Sequence, residues 1–323
     1  MAEFPYKLSI VVPCYNEEET VVPLFEEADR MMKERNINYE IVFINDGSKD
    51  KTYELLKGIA AGADRHVRVV DFSRNFGKEA GIFAGLSNAQ GEYTVIMDGD
   101  MQQSPAVVLE MFDILESEPE YDCVAAVQET RREGKIITFF KNSFYKIINR
   151  TSSVDFVTGA SDFRMMRRPV VDAVLSMSEY FRFSKGIFAF VGFNTKFIPY
   201  IARERGGGQT KWSFRSLFRY AIDGIIGFTT APLKLTTAVG SVLSVCSLIY
   251  LVVVVVQKLL GRGDMFSGYP TIVGLILLLG GLQLLALGII GEYLGRNYME
   301  TKRRPIYIER RVIDGGENKK EEK

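Results

Sequence analysis

Residues 8–12, Leu-Ser-Ile-Val-Val, and the residues that follow them, Pro13-Cys-Tyr-Asn-Glu17, decide the fold of the N-terminal half. The first run is apolar apart from one serine and ends at a proline, which predicts a buried strand. Asn16 is a residue type that caps helices, and the acidic residues 17–19 are typical of a first helical turn. The stretch therefore predicts a strand that passes through a short polar loop into a helix.

The same alternation of strand and helix continues through the first part of the chain. Further strands are predicted at 39–44, 67–71, 93–97 and 122–127, with helices at 51–61, 78–89 and from Ser104 onward. This spacing indicates parallel βαβ units with right-handed crossovers, and hence an α/β fold with a mostly parallel sheet. In such a sheet, ligands bind beyond the carboxyl ends of the strands. Polar and acidic residues collect at those ends, at 13–17, 46–50 and 98–102.

The composition of the whole chain narrows the chemistry that it can support. Its 323 residues are 47% hydrophobic, enough for a sizeable core, and its 40 basic and 40 acidic side chains give no sign of nucleic-acid binding. His66 is the only histidine, which excludes a site built on two or three histidines. Cys14, Cys123 and Cys246 are too scattered for a disulfide framework or a cysteine-rich zinc site. We therefore expect chemistry based on carboxylates, arginine, lysine and the backbone.

Two long uncharged stretches indicate membrane spans in the C-terminal part. Residues 235–256 and 265–291 contain 22 and 27 residues without a charged side chain. At about 1.5 Å per residue, either one is long enough as a helix to cross a hydrocarbon layer of about 30 Å. A pair of buried core helices is the alternative, but uncharged runs of this length are typical of membrane spans. Basic residues flank the pair on both outer sides, so we expect both termini in the cytoplasm and the connecting loop outside.

These patterns divide the chain into an N-terminal α/β domain, a basic segment at the membrane, two spans joined by a loop, and a tail. The basic segment carries six basic and two acidic side chains, and its residues 212–228 are expected to form an amphipathic helix at the membrane surface. The predicted boundaries are 1–200 for the cytoplasmic α/β domain, 201–234 for the basic segment, 235–257 and 269–292 for the spans, 258–268 for the extracytoplasmic loop and 293–323 for the cytoplasmic tail. The chain is thus predicted to be a two-span protein of the cell membrane.

Asp98-Gly-Asp100 is the strongest candidate for a metal site. Side chains two residues apart in an extended segment point the same way, so the two carboxylates can converge on Mg²⁺ or Mn²⁺. Gln102 offers a carbonyl oxygen in the same direction. A plain Asp-Gly turn is the alternative. The sequence contains no glycine-rich phosphate loop of the dinucleotide or P-loop type, so bound phosphates would need such a cation.

Six segments in order carry a resemblance to a known family. They are 12–17, 45–50, 72–80, 98–102, 161–164 and 203–212. They are similar to V-P-x-Y-N-E, D-D-G-S-x-D, F-S-R-N-F-G-K-E-A, D-A-D-L-Q, G-D-F-R and R-x-R-x-x-G-x-S/T-K-Y/W of glycosyltransferase family 2. Followed by two spans, the set resembles the polyprenyl-phosphate glycosyltransferases within that family. Asn45, Ser161 and Gln128 depart from the usual Asp, Gly and Arg.

The resemblance implies a Rossmann-like GT-A domain that binds a nucleotide-diphosphate sugar, with UDP-glucose favoured. It places Mg²⁺ or Mn²⁺ on Asp98, Asp100 and Gln102, where the ion would stabilise the departing diphosphate. It also implies inversion at the sugar carbon through an oxocarbenium-like state. Donor-binding residues are expected at Pro13, Tyr15, Asn16, Glu17, Asp46, Gly47, Ser48, Ser73, Lys78 and Gly99.

The implied acceptor is polyprenyl phosphate in the lipid bilayer. A phosphate monoester has a second pKa of about 6, so it is mostly anionic at neutral pH and hardly needs a general base. It needs cations that bring it close to an anionic donor. By resemblance, Asp162 is the catalytic residue, either as a base or by orienting the acceptor. Phosphate- or acceptor-binding residues are expected at Arg132, Lys135, Arg164, Arg203, Arg205 and Lys211, although attraction to anionic headgroups would also explain basic residues next to a span.

Two other functions stay open on the sequence. A processive polysaccharide synthase shares the catalytic domain, but such enzymes usually carry Q-x-x-R-W and many helices, whereas this chain has Gln209-Thr-Lys-Trp212 and two spans. A non-catalytic sugar-nucleotide sensor or flippase partner would not need Asp98, Asp100 and Asp162 together. A single hairpin anchor also favours packing against other copies of the chain, as a homo-oligomer.

Overall fold

Two units make up the described part of the chain. The computed structural model describes residues 4–62, 66–128, 159–203, 226–227, 229–260 and 268–315. The first unit comprises Met1–Ala221 together with Arg304–Lys323, and the second comprises Ile222–Arg303. The first unit therefore contains both ends of the chain, and the second contains the two uncharged stretches.

The first unit is built on one sheet with helices between its strands. Its described strands are β1 (Tyr6–Cys14), β2 (Tyr39–Asn45), β3 (Val67–Phe72), β4 (Gly91–Ile96), β5 (Cys123–Gln128), β6 (Ala160–Arg167), β7 (Thr195–Tyr200) and β8 (Glu309–Asp314). Its described helices are α1 (Val21–Glu34), α2 (Thr52–Gly62), α3 (Lys78–Asn88), α4 (Pro105–Ser117), α5 (Arg168–Ser176) and α6 (Ser184–Phe190). The strand order across the sheet is β7-β5-β6-β4-β1-β2-β3-β8.

The central part of the sheet is parallel. β1 pairs in parallel with β2 and with β4, and β2 pairs in parallel with β3. β6 runs antiparallel between β4 and β5, β8 runs antiparallel to β3, and β5 and β7 are parallel. The predicted α/β fold with a mostly parallel sheet is confirmed. The predicted strands are confirmed as well, with ends that differ by at most two residues.

The start of α1 differs from the prediction. The helix begins at Val21, not at Asn16. Asn16 instead has a left-handed backbone with φ of 53°, and its side-chain oxygen accepts a hydrogen bond from the Lys49 amide at 2.8 Å. Because an N-cap residue has extended backbone angles, Asn16 is not the N-cap of α1. Its side chain instead connects the loop after β1 to the loop after β2. Ser104, in contrast, caps α4 as predicted, with a proline in the first turn.

Apolar side chains cover both faces of the sheet. Along β1, the alternate residues from Leu8 to Val12 face a core shared with α1, α2 and α4, whereas Val11 faces a core shared with α3. Burial on both faces explains the nearly continuous apolar run in the sequence. α3 packs so closely on β1 that a Cβ on Gly85 would lie 2.1 Å from Val11 Cγ1. This contact fixes the position of α3 and of its first residue, Lys78.

The end of the chain returns to the sheet. β8 pairs with β3, where Arg68 lies opposite Asp314 and binds its carboxylate at 2.6 Å. Tyr307 stacks on Phe72 with a centroid distance of 4.9 Å. The sequence analysis treated residues 293–323 as a tail. The described part of that segment instead completes the last helix, ending at Thr301, and then forms an edge strand.

The second unit contains two long helices, α7 (Ala231–Leu259) and α8 (Tyr269–Thr301). Both are long and apolar enough to cross a membrane, with candidate spans at Ala231–Tyr250 and Gly274–Thr301 and mean hydropathies of 1.5 and 2.2. The predicted spans fall on these helices, although α7 begins four residues before the predicted boundary and α8 ends nine residues after it.

The side chains of α7 and α8 form long apolar surfaces. Leu248 is 63% exposed and Leu284 is 72% exposed. Tyr293 donates a hydrogen bond to the Thr229 carbonyl at 2.7 Å. Most of the predicted amphipathic helix, and residues 261–267 of the loop, lie outside the described residues. The exposed apolar surfaces agree with a lipid environment for both helices.

Candidate active site

The carboxyl ends of β1, β2 and β4 meet at one edge of the sheet, as the parallel order requires. Hydrogen bonds join the loop after β1 to the loop after β2. The Asn16 amide donates to Ser48 Oγ at 3.0 Å, and the Glu17 amide donates to Thr52 Oγ1 at 2.8 Å. These contacts bring together the predicted donor-binding residues of the two loops, which are Pro13, Tyr15, Asn16, Glu17, Asp46, Gly47 and Ser48.

Asp46 has a structural role that the sequence analysis did not foresee. Its side chain is buried, and its two carboxylate oxygens accept hydrogen bonds from the amides of Phe76 and Gly77 at 2.6 and 2.9 Å. Burial raises the pKa of Asp46 to about 6, and the two amides oppose a larger rise. Asp46 thus anchors the loop after β3, which leads into Lys78. Its predicted contact with the nucleotide stays a prediction.

Two glycines let the loops at this edge lie against one another. Gly47 has φ of 62°, and a Cβ there would lie 2.4 Å from the carbonyl carbon of Arg74. A Cβ on Gly99 would lie 3.3 Å from Cys14 Sγ. The segment around Gly99 is therefore packed directly against the end of β1, and this packing positions Asp98.

Gln103 holds Asp98 in place. The Asp98 amide donates to Gln103 Oε1 at 2.8 Å, and Gln103 Nε2 donates to Asp98 Oδ2 at 2.9 Å. The neighbouring Gln102 uses its backbone amide, which donates to Asp100 Oδ1 at 3.1 Å. Met101 has φ of 61°, and this turn decides which glutamine reaches Asp98. The sequence analysis missed Gln103, and the metal-ligand role of Gln102 stays a prediction.

Lys78 joins the two acidic groups that the sequence analysis singled out. Its Nζ lies 2.6 Å from Asp98 Oδ1 and 3.4 Å from Asp162 Oδ2. β6 brings Asp162 here because it runs beside β4, whose end carries Asp98. Partial burial alone would lower the pKa of Lys78, but the charges of Asp98 and Asp162 outweigh it and hold the pKa above its usual value. Lys78 is thus a stable cation between the predicted metal motif and the predicted catalytic residue.

Asp162 is an anion with one unused oxygen. Its side chain is 13% exposed, and its buried Oδ1 has no hydrogen-bond partner among the described residues. Burial alone would raise the pKa of Asp162, but the positive charges around it, chiefly that of Lys78, outweigh burial and lower it. A buried, ionised and unpaired oxygen is expected to bind a ligand group. The lowered pKa also makes Asp162 a weak proton acceptor.

Glu79 is a residue of this site to which the sequence analysis gave no role. Its Oε2 accepts a hydrogen bond from the Ser184 amide at 2.9 Å and another from Ser184 Oγ. Burial and the nearby charge of Asp162 raise the pKa of Glu79 to about 7, against the opposing effect of Ser184. The signal was present in the sequence, because Glu79 directly follows Lys78. The site therefore combines a carboxyl that is ionised at neutral pH with one that is close to its titration point.

Two arginines that were predicted to bind the acceptor have other partners. Arg164 is 5% exposed, lies 3.8 Å from the centroid of the Phe188 ring, and donates to the Ser161 carbonyl at 3.0 Å. It lies in the interior and supports Asp162 through its charge. Arg203 forms an ion pair with Glu27 at 2.9 Å. No local sequence pattern reveals these packing partners, and the acceptor-binding roles of Arg164 and Arg203 stay predictions.

The remaining predicted acceptor-binding residues, Arg132, Lys135, Arg205 and Lys211, lie outside the described residues, as does the motif at 209–212. Ser73, a predicted donor-binding residue, donates its amide to the Ile308 carbonyl at 3.0 Å. The described residues therefore include the predicted donor-binding residues and Asp162, but not most of the predicted acceptor cations.

Comparison with known proteins assigns the chain to a family. Residues 9–175 match the family model Glycosyl transferase family 2, and residues 231–296 match the model GtrB C-terminal hairpin. The chain is 44% identical over 301 residues to the putative glycosyltransferase CsbB of Bacillus subtilis, a match that covers 93% of this chain and 90% of that protein. This chain belongs to glycosyltransferase family 2.

Further matches of this family 2 glycosyltransferase include the bactoprenol glucosyl transferase of Shigella phage SfV. The two are 37% identical over 304 residues, which cover 94% of this chain and 97% of that protein. A glucosyl-3-phosphoglycerate synthase from Mycobacterium tuberculosis, solved with Mn²⁺, UDP-glucose and phosphoglyceric acid, is 16% identical with a TM-score of 0.46, covering 68% of this chain and 78% of that one. The predicted resemblance to family 2 and its bactoprenol glucosyltransferases is confirmed, and the parallel sheet agrees with the Rossmann-like GT-A fold that it implied.

The residues of this glycosyltransferase fit a divalent cation that the substrate helps to bind. Within the described ranges, no group of three or more His, Cys, Asp or Glu side chains is arranged around a metal position. Asp98 and Asp100 supply two carboxylates, and the Asp98 side chain is 29% exposed. The edge is rich in negative charge, since Glu17 and Asp98 add to the effect of burial in raising the pKa of the Cys14 thiol. One or two carboxylates, completed by phosphate oxygens and water, are the usual protein ligands of Mg²⁺.

Proposed function

We propose that the protein transfers glucose, with inversion, from UDP-glucose to polyprenyl phosphate at the cytoplasmic face of the cell membrane. The observation that carries the proposal is the bridge from Asp98 through Lys78 to Asp162, which joins the predicted metal motif to the predicted catalytic residue. The relative named bactoprenol glucosyl transferase supports glucose as the sugar and a polyprenyl carrier as the acceptor. The two apolar helices support a lipid acceptor.

On the donor side, Asp98 and Asp100 would hold Mg²⁺ or Mn²⁺. When bound, that cation neutralises the diphosphate of the donor and stabilises it as a leaving group. Lys78 adds a fixed positive charge beside Asp98. Gln103 keeps the Asp98 carboxylate oriented through two hydrogen bonds. The joined loops after β1 and β2, which carry Asn16, would bind the nucleotide.

On the acceptor side, a phosphate oxygen attacks C1 of glucose while the bond between C1 and the diphosphate oxygen breaks. Because the phosphate monoester has a second pKa of about 6, no proton has to be removed from most acceptor molecules at neutral pH. Asp162, with its lowered pKa, is suited to hold Lys78 and to stabilise the positive charge that develops on the sugar ring. We therefore favour an electrostatic and orienting role for Asp162 over a general base.

The return of β8 to the sheet supports the proposed membrane topology. β8 follows α8 in the sequence, yet it pairs with β3, which precedes α7. Strands of one sheet lie on one side of a membrane, so the chain between them crosses it an even number of times. We propose that α7 and α8 each cross once, with the catalytic unit and both termini in the cytoplasm, as the basic flanks predict.

The proposal is tested with the purified full chain in detergent. Undecaprenyl phosphate is offered with UDP-glucose, UDP-N-acetylglucosamine, UDP-galactose or GDP-mannose, each with Mg²⁺, with Mn²⁺ or with a chelator. The labelled lipid is then separated by chromatography. We expect a glucosyl lipid from UDP-glucose and none in the presence of chelator.

Each other outcome has a defined meaning. A lipid product from a different donor would correct the sugar, and a sugar polymer would favour the processive alternative. If no donor yields a lipid-linked product, the proposed reaction is wrong. Asp172→Asn serves as the matched control for aspartate substitutions, because Asp172 is 58% exposed and pairs with Arg168 on the surface.

A further inference from the structure

A cavity of about 260 Å³ lies beside the site described above. Its lining includes two arginines, three aromatic residues and one carboxyl, namely Arg74, Arg182, Phe76, Tyr180, Phe181 and Glu79. Glu79 links the cavity to the catalytic site, because it follows Lys78 in α3 and its pKa responds to the charge of Asp162. The mechanism proposed above uses neither arginine.

Arg182 has two donors that find no partner in the described part of the chain. The residue is 8% exposed, and one guanidinium nitrogen, Nη1, donates to the Met177 carbonyl. The other two nitrogens, Nε and Nη2, are buried and have no hydrogen-bond partner among the described residues. Glu79 lies near enough to interact with Arg182 by charge, but its Oε2 is taken by Ser184. Leaving two charged donors buried and unpaired costs free energy, which a ligand would recover.

The positions of Nε and Nη2 on the guanidinium indicate the kind of ligand that Arg182 can bind. Nε and Nη2 form one edge of the planar guanidinium, and this edge presents two parallel N–H groups. Such an edge binds two oxygens of one phosphate or carboxylate group at the same time. The ring of Phe83, whose centroid lies 4.5 Å from the guanidinium carbon, holds the guanidinium plane in position. The geometry therefore fits an anion with at least two oxygens on one centre.

We infer that Arg182 binds the phosphate group of the polyprenyl phosphate acceptor through its Nε–Nη2 edge. This inference rests on the proposed function, in which such a phosphate is the nucleophile. Arg182 lines the same cavity as Glu79, Glu79 follows Lys78 in α3, and Lys78 contacts Asp162, so a phosphate on Arg182 would lie on the side of the site that carries Asp162. Arg74, whose guanidinium lies 4.0 Å from the Phe76 ring at the cavity, adds a second positive charge.

The apolar lining favours the acceptor over the donor. Phe181 is 44% exposed and, with Phe76 and Tyr180, offers aromatic surface next to the arginines. Ile306 also lines the cavity, and in the sequence it stands five residues after the end of α8. Apolar surface of this kind suits isoprene units that are attached to a phosphate. The donor diphosphate already has its own cation site at Asp98.

The test uses Arg182→Lys in the full chain, which keeps the charge but removes the paired donors. Steady-state kinetics are measured against undecaprenyl phosphate and, separately, against UDP-glucose. Because charged bidentate hydrogen bonds are lost, we expect the KM for undecaprenyl phosphate to rise about 10- to 100-fold. The KM for UDP-glucose should stay within about twofold of the parent value. Arg30→Lys is the matched control, since Arg30 is 68% exposed on α1.

Direct binding separates this inference from the proposed reaction. Farnesyl phosphate, farnesol and inorganic phosphate are titrated into the parent chain and the Arg182→Lys variant by calorimetry. We expect the parent to bind farnesyl phosphate and the variant to lose that binding. This result would support the inference even if no donor gave a product. Equal farnesyl phosphate binding by both chains, or a raised KM for UDP-glucose alone, would overturn it.

A second variant covers the case in which Arg182→Lys lowers the melting temperature and the yield. Phe181→Ala truncates an exposed aromatic side chain at the cavity, and its fold should be unaffected. We expect its KM for undecaprenyl phosphate to rise about threefold to tenfold, through lost apolar contact with the isoprene chain. No change in that KM, together with unchanged farnesyl phosphate binding, would contradict a lipid phosphate in this cavity.

Discussion

Asp46 and Asp162 lie at the same edge of the sheet, yet their surroundings shift their pKa values in opposite directions. Both carboxylate oxygens of Asp46 accept hydrogen bonds from backbone amides, and burial raises its pKa to about 6. Asp162 is surrounded by cations that lower its pKa, and one of its oxygens is unpaired among the described residues. A carboxyl whose oxygens are both bonded to backbone stabilises a loop. A carboxyl that is charged and incompletely bonded is available for a substrate.

The largest effect should come from Asp162→Asn. Loss of the negative charge removes the electrostatic stabilisation of the sugar ring, so kcat/KM should fall about 10²- to 10³-fold. The melting temperature should also fall, because Lys78 and Arg164 lose a negative charge that balances theirs. Transfer of labelled glucose to undecaprenyl phosphate measures the first quantity. A loss of less than threefold, comparable to that of the control Asp172→Asn, would show that Asp162 is not the functional carboxyl.

A comparable loss of activity, with a different cause, is expected for Asp98→Asn. This variant removes a predicted metal ligand, so binding of Mn²⁺ in the presence of UDP should weaken about tenfold or more. Asp162→Asn should bind Mn²⁺ as the parent does, because among the described residues Asp162 is linked to the metal motif through Lys78. Electron paramagnetic resonance of free Mn²⁺ distinguishes the two. Equal Mn²⁺ binding by both variants would show that Asp98 is not a metal ligand.

Asp46→Asn should act on stability. An amide cannot accept hydrogen bonds from both Phe76 and Gly77 as the carboxylate does, so the free energy of unfolding should fall by about 1–3 kcal/mol.

The contribution of Asp46 to the stability of the parent chain should also depend on pH, in a definite direction. Because burial raises the pKa of Asp46 from its ordinary value of 3.8 to about 6, the folded state binds more protons than the unfolded state between these pH values. The stability from protonated Asp46 is present at low pH and is lost as the pH rises through about 6.

Melting temperatures of the parent and Asp46→Asn, measured from pH 4 to pH 7, test this sign. The difference between the two should shrink as the pH rises. Glu79, with a pKa of about 7, titrates in both chains and cancels in the difference. A difference that grows with pH would mean that Asp46 is stabilised as the charged form, like Asp162.

The smallest effect should come from Gln103→Met, which keeps the volume but removes both hydrogen bonds to Asp98. Since Asp98 keeps its charge but loses its orientation, we expect the Mn²⁺ concentration for half-maximal activity to rise about tenfold. Gln128→Met, at the exposed end of β5, is the control. If Gln103→Met behaves like this control, the hydrogen bonds to Asp98 have no part in metal binding.

The central strands were predictable because each one is buried on both faces. β1 to β5 read as apolar runs that end at polar residues, and these are the strands that local sequence identifies. β8 was not predicted, because Glu-Arg-Arg-Val-Ile-Asp has no apolar run. It is an edge strand whose side chains are mostly exposed, and its pairing with β3 depends on residues more than 200 positions away.

The sequence predicted which residue types the site would contain, but not all of the hydrogen bonds between them. Asp98, Lys78 and Asp162 come together as motif order and resemblance implied. The hydrogen bonds from Gln103 to Asp98 were not predicted, because they follow a turn in which Met101, a non-glycine residue, has a positive φ. The buried donors of Arg182 were not predicted either, because the sequence does not show which polar atoms are buried without a hydrogen-bond partner.

The pairing of β8 with β3 also affects how the sheet can fold during synthesis of the chain. β3 leaves the ribosome long before β8, so one edge of the sheet stays open until α7 and α8 have been synthesised. An open strand edge is a template for pairing with other chains. In the proposed topology, a hairpin inserted with the wrong number of crossings would leave β8 across the bilayer from β3. If the proposed topology holds, β8 can complete the sheet only after the hairpin has been inserted correctly, and the paired β8 then covers a strand edge that other chains could otherwise bind.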